Sequence, residues 1–213
     1  MTDQESCRLL ADMTRELYEN KLVTAKGGNL SVRCDSRENA CWITPSGNFK
    51  GGLSSADMVL VDLEGNKIEG PYKPSVESGY HAGIMRMRPE VNAVVHTHAP
   101  FATVFGMSDM EMKPVTTEAI LLANYPNIPF HLGGTSDLHA FVLKHLGGGS
   151  AKGAFLRNHG LITTGRSLRE AVDYTYMAEH TCHILIVAKM AGIEPSLVSQ
   201  DVVDLIGNYV AMI

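Results

Sequence analysis

The fold and the chemistry of this sequence are both indicated by one stretch, Asn92-Ala93-Val94-Val95-His96-Thr97-His98. Its valines predict a strand, which Pro100 ends. Alternate residues of a strand face the same side, about 7 Å apart, so the imidazoles of His96 and His98 can converge on one metal ion. The alternative is two polar side chains on a solvated face. Val94 shares that face and the strand is otherwise apolar, which disfavours full solvation.

A catalytic zinc site needs a third protein ligand and an open position. Asn158-His159-Gly160 supplies a candidate, because it follows a predicted buried strand and flanks a histidine with turn residues. Glu77 is a fourth candidate. It is predicted in the first turn of a helix capped by Ser75, where the helix dipole favours a carboxylate. The alternative for Glu77 is an ordinary first-turn acid.

Three turns predict an anion site. Gly27-Gly28-Asn29 follows the first predicted helix, Thr44-Pro45-Ser46-Gly47 forms a second turn, and Ser75 lies at a predicted helix N-terminus, where anions bind. Each has a structural alternative, since glycine turns close helices and serine caps them. Together they predict an anion cradle of neutral donors rather than Lys or Arg.

The remaining pattern predicts the architecture. A helical period runs from Asp3 to about Lys21, hairpin-like strands follow, and a long helix opens at Ser167 and ends near Gly192. Early hairpins without regular βαβ alternation predict an α/β fold with layers around a mostly antiparallel sheet. The sequence has no G-x-G-x-x-G after the first strand and no Walker loop, so nucleotide binding is not indicated.

Composition excludes several classes of protein. The chain has 213 residues, 45% hydrophobic and 19% charged, which predicts one domain with a sizeable core. A net charge of −5 does not indicate a nucleic-acid surface. No apolar run reaches the ~18 residues of a membrane span. We expect no signal peptide, and four cysteines without a C-x-x-C pair predict reduced thiols in a cytoplasmic protein.

Five motifs occur in order: Gly-Gly-Asn-Leu-Ser (27–31), Thr-Pro-Ser-Gly (44–47), Lys-Pro-Ser-Val-Glu (73–77), Val-Val-His-Thr-His (94–98) and Asn-His-Gly (158–160). This order resembles the class II aldolase/adducin family, which includes fuculose-phosphate aldolases and ribulose-phosphate 4-epimerases. The resemblance covers roughly residues 5–195. It is more specific to the family than to one reaction within it.

The resemblance implies a three-layer α/β/α fold with a central, mainly antiparallel sheet, as one domain over residues 1–213 with a C-terminal tail at 193–213. It implies a homotetramer with active sites between subunits. It also implies a divalent metal, usually zinc, held by His96, His98 and His159, with Glu77 contacting the metal and serving as acid/base. The family's phosphate-binding positions match Gly28, Asn29, Ser46, Gly47 and Ser75.

Three positions depart from the fuculose-phosphate aldolase pattern. Val76 replaces a second serine. Glu118 occupies the region where the aldolase places a tyrosine, which is more similar to methylthioribulose-phosphate dehydratases. Tyr209 falls where several aldolases carry a mobile tyrosine that protonates the departing aldehyde oxygen; the alternative is a tail residue packed on a neighbour.

The sequence thus predicts a zinc-dependent lyase that cleaves a small phosphorylated ketose by a retro-aldol reaction, through a metal-stabilised enediolate. The alternatives are a dehydratase that uses Glu118, and a pentulose-phosphate 4-epimerase. A metal-free structural module of the adducin type is disfavoured, because all four metal-site residues are present. The sequence suggests no functional partner for the other histidines, which are His81, His131, His139, His145, His180 and His183.

Overall fold

One eight-stranded sheet organises the chain, and the strand that carries His96 lies near its centre. The computed structural model describes residues 2–212, and the side chains of residues 2–208. The strands are β1 (Asn29–Arg33), β2 (Ala40–Ile43), β3 (Val59–Asp62), β4 (Lys67–Glu69), β5 (Ala93–Thr97), β6 (Asn127–Ile128), β7 (Gly153–Leu156) and β8 (Gly160–Gly165). Their order is β4-β3-β2-β1-β5-β8-β7-β6, and of these pairings only β6 with β7 is parallel. The mainly antiparallel sheet is confirmed.

Seven α-helices accompany the described strands. They are α1 (Asp3–Glu19), α2 (Ser78–Met87), α3 (Pro100–Met107), α4 (Thr117–Leu121), α5 (Ser136–Leu146), α6 (Leu168–Met190) and α7 (Gln200–Met212). The start of α1 is fixed by a capping box, in which Thr2 accepts from the Glu5 N–H and the Glu5 carboxylate accepts from the Thr2 N–H. Ser167 caps α6 by accepting from the Glu170 N–H at 3.2 Å.

Two hydrophobic clusters separate the layers, one on each face of the sheet. Val95 of β5 packs in the cluster that contains α1, α3 and α6 residues. Val94, its neighbour, packs in the cluster built with α2 and α5. Successive side chains of a strand point to opposite faces, so β5 contributes to both cores. The predicted three-layer α/β/α arrangement is confirmed.

The sheet register gathers the candidate residues at one end of its central strands. Asn29 of β1 lies opposite His96 of β5. On the other side, Thr97 of β5 lies opposite Leu161 of β8, which places the β7–β8 turn beside the end of β5. His98 follows β5 directly and donates its N–H to the Leu22 carbonyl oxygen at 2.9 Å.

The start of α2 differs from the prediction. Ser75 is not the N-cap, because α2 begins at Ser78 and Glu77 occupies the N-cap position. Ser75 instead accepts the Glu77 N–H on its hydroxyl oxygen at 3.2 Å, in a turn before the helix. The reason is tertiary: Pro74 forms an isolated β-bridge with Pro45, which keeps the chain extended at this point. Glu77 therefore lies at the junction of a turn and a helix.

Other features agree with or extend the sequence-based expectations. The four cysteines are free and buried. The segment predicted as a tail contains the helix α7. Among the described residues, no helix is long and apolar enough to cross a membrane.

Candidate metal centre and active site

Three histidines converge at the end of the central strands. The ring centroids lie 5.0 Å apart for His96 and His98, 4.7 Å for His96 and His159, and 5.3 Å for His98 and His159. Each ring offers one nitrogen, and the three nitrogens lie within 4.8 Å of one another. The convergence predicted from strand spacing and from the Asn-His-Gly turn is present.

The position of His159 depends on its two neighbours. Asn158 adopts a left-handed conformation, with φ of 58°, which asparagine tolerates better than most residues. The His159 N–H then donates to the Leu156 carbonyl oxygen at 3.0 Å, which closes the β7–β8 turn. At Gly160 a Cβ would collide with the carbonyl oxygen of Thr97. Glycine therefore lets β8 approach β5 closely enough to bring His159 beside His96.

Glu77 lies against the three histidines. Its Oε2 is 3.5 Å from His96 Nε2 and its Oε1 is 3.6 Å from His159 Nε2. The residue is 5% exposed. A carboxylate buried at this position faces the donor nitrogens directly, as expected of a metal-contacting acid/base.

The donor set has unsatisfied atoms where a cation would bind. Glu77 Oε1 and His96 Nε2 are buried and make no hydrogen bond to any described residue. Such atoms are costly unless a ligand, water or ion satisfies them. His96 Nδ1 lies 3.1 Å from the Leu161 carbonyl oxygen, so Nδ1 donates and Nε2 keeps its lone pair. These residues fit a divalent cation.

Burial keeps the imidazoles of His96 and His98 in the neutral form that binds metal. It lowers the pKa of His96 well below its usual value, and the neighbouring His159 and His98 lower that pKa further. Burial also lowers the pKa of His98, as does His159, whereas the Glu77 carboxylate raises it.

A cleft of about 230 Å³ adjoins the histidines. Its lining residues include Glu77, His98 and His159, together with all five predicted phosphate-binding residues, Gly28, Asn29, Ser46, Gly47 and Ser75. The structure therefore brings the two halves of the predicted site together. At Gly28, φ is +85° and a Cβ would lie 2.6 Å from Val23 Cγ1, so only glycine fits this wall.

The sequence did not indicate Lys50, which also lines this cleft. Its ammonium group donates to the Pro45 carbonyl oxygen at 2.8 Å, and the residue is 1% exposed. Burial lowers its pKa to about 8, against the opposing effect of Glu77. The cleft therefore contains a cation in addition to the neutral donors that the sequence predicts. Lysines beside glycine-rich turns are usually solvated, so the sequence provides no signal for this burial.

Gly133 is a second cleft residue that the sequence did not indicate. It lines the cleft, and a Cβ at this position would lie 3.6 Å from Glu77 Oε1 and 3.5 Å from His159 Cε1. The backbone of this loop thus lies against the side chains of Glu77 and His159. In the sequence, the consecutive glycines Gly133 and Gly134 were the signal that could have identified this loop.

Asn29 lines the cleft, but its side chain is turned toward Glu77. Its Nδ2 donates to Glu77 Oε2 at 2.7 Å, and its Oδ1 lies 2.6 Å from His81 Nε2. His81, for which the sequence suggested no partner, thus belongs to the immediate surroundings of the site.

Of the two remaining candidates, only the side chain of Glu118 is described. Glu118 lies in the first turn of α4, exposed and outside the cleft lining. Tyr209 falls in α7, and its side chain is outside the described residues.

Comparison with known proteins gives concordant matches. The family described as Class II Aldolase and Adducin N-terminal domain matches residues 8–186. L-fuculose phosphate aldolase of Methanococcus vannielii is 35% identical over 164 residues, which are 76% of this chain and 86% of that protein. Methylthioribulose-1-phosphate dehydratase of an Enterobacter species is 32% identical over 184 residues, 80% of this chain and 89% of that protein.

A solved structure of an L-fuculose 1-phosphate aldolase superposes with a TM-score of 0.84 at 26% identity, and covers 97% of this chain and 96% of that chain. The fold, the motif order and the full-length match therefore agree. Because the family match and both relatives span most of the sequence, the chain belongs to the class II aldolase and adducin family and is an enzyme of that family.

Proposed function

We propose that this protein is a metal-dependent lyase that cleaves a small phosphorylated ketose by a retro-aldol reaction. The supporting observation is that two buried, unsatisfied atoms, Glu77 Oε1 and His96 Nε2, lie within the group formed with His98 and His159, beside a cleft lined by anion donors. The relatives named above act on sugar phosphates, which is the substrate class that such a cleft suits.

His96, His98 and His159 would hold the cation, which we propose to be zinc because three histidines with an open position are a catalytic zinc donor set. When bound, the cation supplies Lewis-acid stabilisation of the negative charge that develops as the carbon–carbon bond breaks. Burial holds the imidazoles of His96 and His98 neutral, and the Leu161 carbonyl group orients His96.

Glu77 moves the proton at the reacting carbon. Its Oε2 is held by Asn29, whereas its Oε1 has no hydrogen bond within the described residues. Oε1 is therefore the oxygen free to take or give a proton, and it lies 3.6 Å from His159 Nε2, on the side of the proposed cation.

The turns anchor the phosphate and so fix the register of the carbon chain against the histidines. Gly28, Ser46, Gly47 and Ser75 supply neutral donors, and Lys50 supplies the positive charge. The Ser46 N–H already donates to the Lys73 carbonyl oxygen, so Ser46 contributes its hydroxyl group.

A second acid/base comes from a neighbouring subunit in this proposal, as Glu118 or Tyr209. Glu118 is exposed and outside the cleft of its own chain, which is the placement expected of a residue donated across an interface. The proposal therefore includes a homotetramer of single-domain subunits, each spanning residues 1–213, in the cytoplasm.

A methylthioribulose-1-phosphate-type dehydratase is the second candidate, favoured by the match to the Enterobacter dehydratase and by Glu118. A 4-epimerase would use the same cleavage with re-addition of the aldehyde. Glu118→Gln distinguishes a dehydratase from an aldolase, because a dehydratase would lose water elimination in this variant. Near-normal carbon–carbon cleavage in this variant excludes a direct role of Glu118 in cleavage.

The test is a panel of phosphorylated ketoses, assayed for released dihydroxyacetone phosphate and, in parallel, for water elimination. We expect cleavage that a chelator abolishes and zinc restores. Undiminished cleavage by the metal-free enzyme would overturn the mechanism.

A further inference from the structure

A continuous line of buried polar groups runs from the sheet to Glu77. Ser31 Oγ lies 2.7 Å from His81 Nδ1, and His81 Nε2 lies 2.6 Å from Asn29 Oδ1. Asn29 Nδ2 then donates to Glu77 Oε2 at 2.7 Å. Ser31 and His81 are fully buried, and Asn29 and Glu77 are 5% exposed. We call these residues the Ser31–Glu77 relay.

Only one arrangement of hydrogens satisfies this relay. The Glu77 carboxylate only accepts hydrogen bonds, so the Asn29 amide nitrogen must face it. Asn29 Oδ1 then faces His81 and also only accepts, so His81 Nε2 carries the hydrogen. Of the two neutral forms of the His81 ring, only this one leaves Nδ1 able to accept from the Ser31 hydroxyl group, which lies 2.7 Å away.

The fold fixes every member of the relay. Ser31 and Asn29 are two residues apart on β1 and so face the same side of the sheet, toward α2. His81 lies on α2, where its ring stacks on Tyr80 with centroids 4.9 Å apart and planes 24° apart. The ring therefore cannot turn without disturbing the core between α2 and the sheet.

We propose that Ser31 and His81 are positioning residues that act through Asn29. They fix the amide so that it donates to Glu77 Oε2, which leaves Oε1 as the one carboxylate oxygen available for proton transfer. It follows that the Asn29 side chain orients Glu77 and does not bind phosphate. This inference rests on the proposed role of Glu77 as acid/base.

Two matched variants test the role of His81. Glutamine places an amide N–H near the position of Nε2 and so keeps the donor to Asn29, whereas phenylalanine keeps the ring stack and removes the donor. We expect His81→Phe to lower kcat by about 10- to 100-fold, with KM nearly unchanged. This is the effect typical of losing a hydrogen bond that orients a residue of the site. His81→Gln should recover most of that loss. His145→Gln, on α5 and outside both the relay and the cleft lining, is the control for a histidine-to-glutamine change.

Two readouts do not depend on catalysis. Binding of inorganic phosphate to the metal-free protein, measured by calorimetry, should be the same in wild type and in His81→Phe. Nitrogen-15 NMR of the labelled histidines at pH 7.5 should show one ring, absent from His81→Phe, that carries its hydrogen on Nε2 and has an unprotonated Nδ1.

The proposal is overturned by wild-type kcat in His81→Phe, by weakened phosphate binding in that variant, or by a hydrogen on Nδ1 of this ring. A His81→Gln variant as slow as His81→Phe, when both melt like the wild type, also contradicts it. If the wild-type enzyme cleaves no ketose phosphate, the proposed function fails, but the NMR and phosphate measurements still decide how the relay is arranged.

Discussion

The Lys50 ammonium group lies 2.8 Å from the Pro45 carbonyl oxygen, in a residue that is 1% exposed. An ammonium group has three donor hydrogens, and this carbonyl group satisfies one of them. The group also lines the cleft that Ser46, Gly47 and Ser75 share. A buried cation placed among neutral donors is suited to an anionic ligand.

Removing this charge should weaken anion binding. We expect Lys50→Met to weaken the binding of inorganic phosphate by about 10- to 100-fold, since a hydrogen bond to a charged group contributes about 1.5–3 kcal/mol. Isothermal titration calorimetry on the metal-free protein measures this. Lys26→Met is the matched control, because Lys26 also lines the cleft but is exposed. Equal losses in both variants would argue against a specific role for Lys50.

Phosphate affinity should also fall as the pH rises past about 8. Burial lowers the pKa of Lys50 to about 8, so the free protein loses this positive charge above that pH. Lys50→Arg keeps its charge throughout, because guanidinium groups do not deprotonate in this range. Calorimetry between pH 7 and 9.5 should therefore show declining affinity for the wild type and a flat profile for Lys50→Arg. A flat wild-type profile would contradict the prediction.

The stability of the metal-free protein should fall in acid because His81 is buried in its neutral form. Its pKa is about 3 in the folded protein, lowered mainly by burial and also by His96 and His139, against the effect of Glu77. In the unfolded chain the pKa is about 6.5. Unfolding therefore takes up a proton between these values, and the stabilisation present above pH 6.5 is lost as the pH falls toward 3.

Each such proton changes the free energy of unfolding by about 1.4 kcal/mol per pH unit. Urea unfolding with a chelator present, at pH 5.5, 6.5 and 7.5, measures the slope. His81→Phe should show a smaller slope than the wild type, although His96 and His98 still contribute in the same direction. An unchanged slope in His81→Phe would contradict a buried neutral His81.

The metal site should depend on the β7–β8 turn. We expect His159→Ala to contain a small fraction of the zinc found in the wild type, measured by metal analysis of the purified proteins. Because a ligand that binds the native state stabilises it, added zinc should raise the Tm of the wild type and not that of the variant. His180→Ala, which changes an exposed histidine of α6, should behave as the wild type. Full zinc content in His159→Ala would exclude His159 as a ligand.

The sequence predicted those features that depend on local spacing. The two-residue period of β5 placed His96 and His98 on one side, and the Asn-His-Gly turn placed His159 at a strand end. Both follow from backbone geometry. The helix that follows Pro74 was predicted to start too early, because the bridge between Pro45 and Pro74 joins segments distant in sequence.

The features that were missed depend on distant partners. The side-chain contacts of Asn29 with Glu77 and His81 could not be predicted, because these partners belong to another part of the chain. The assignment of Asn29 to the phosphate site stays a prediction. The burial of Lys50 is likewise set by packing around Pro45 and not by its neighbours in sequence. The structure gives the position of Glu118 in one chain, whereas its proposed role requires a second copy of the chain.

Gly133 has a consequence for the range of substrates. Under the proposed chemistry, the aldehyde fragment departs from the space next to Glu77 Oε1, and a Cβ at position 133 would lie 3.6 Å from that oxygen. Because Gly133 has no side chain, the cleft next to this carboxylate stays open. A larger residue at position 133 would narrow the cleft beside Glu77 Oε1 without changing the proposed metal ligands or phosphate donors.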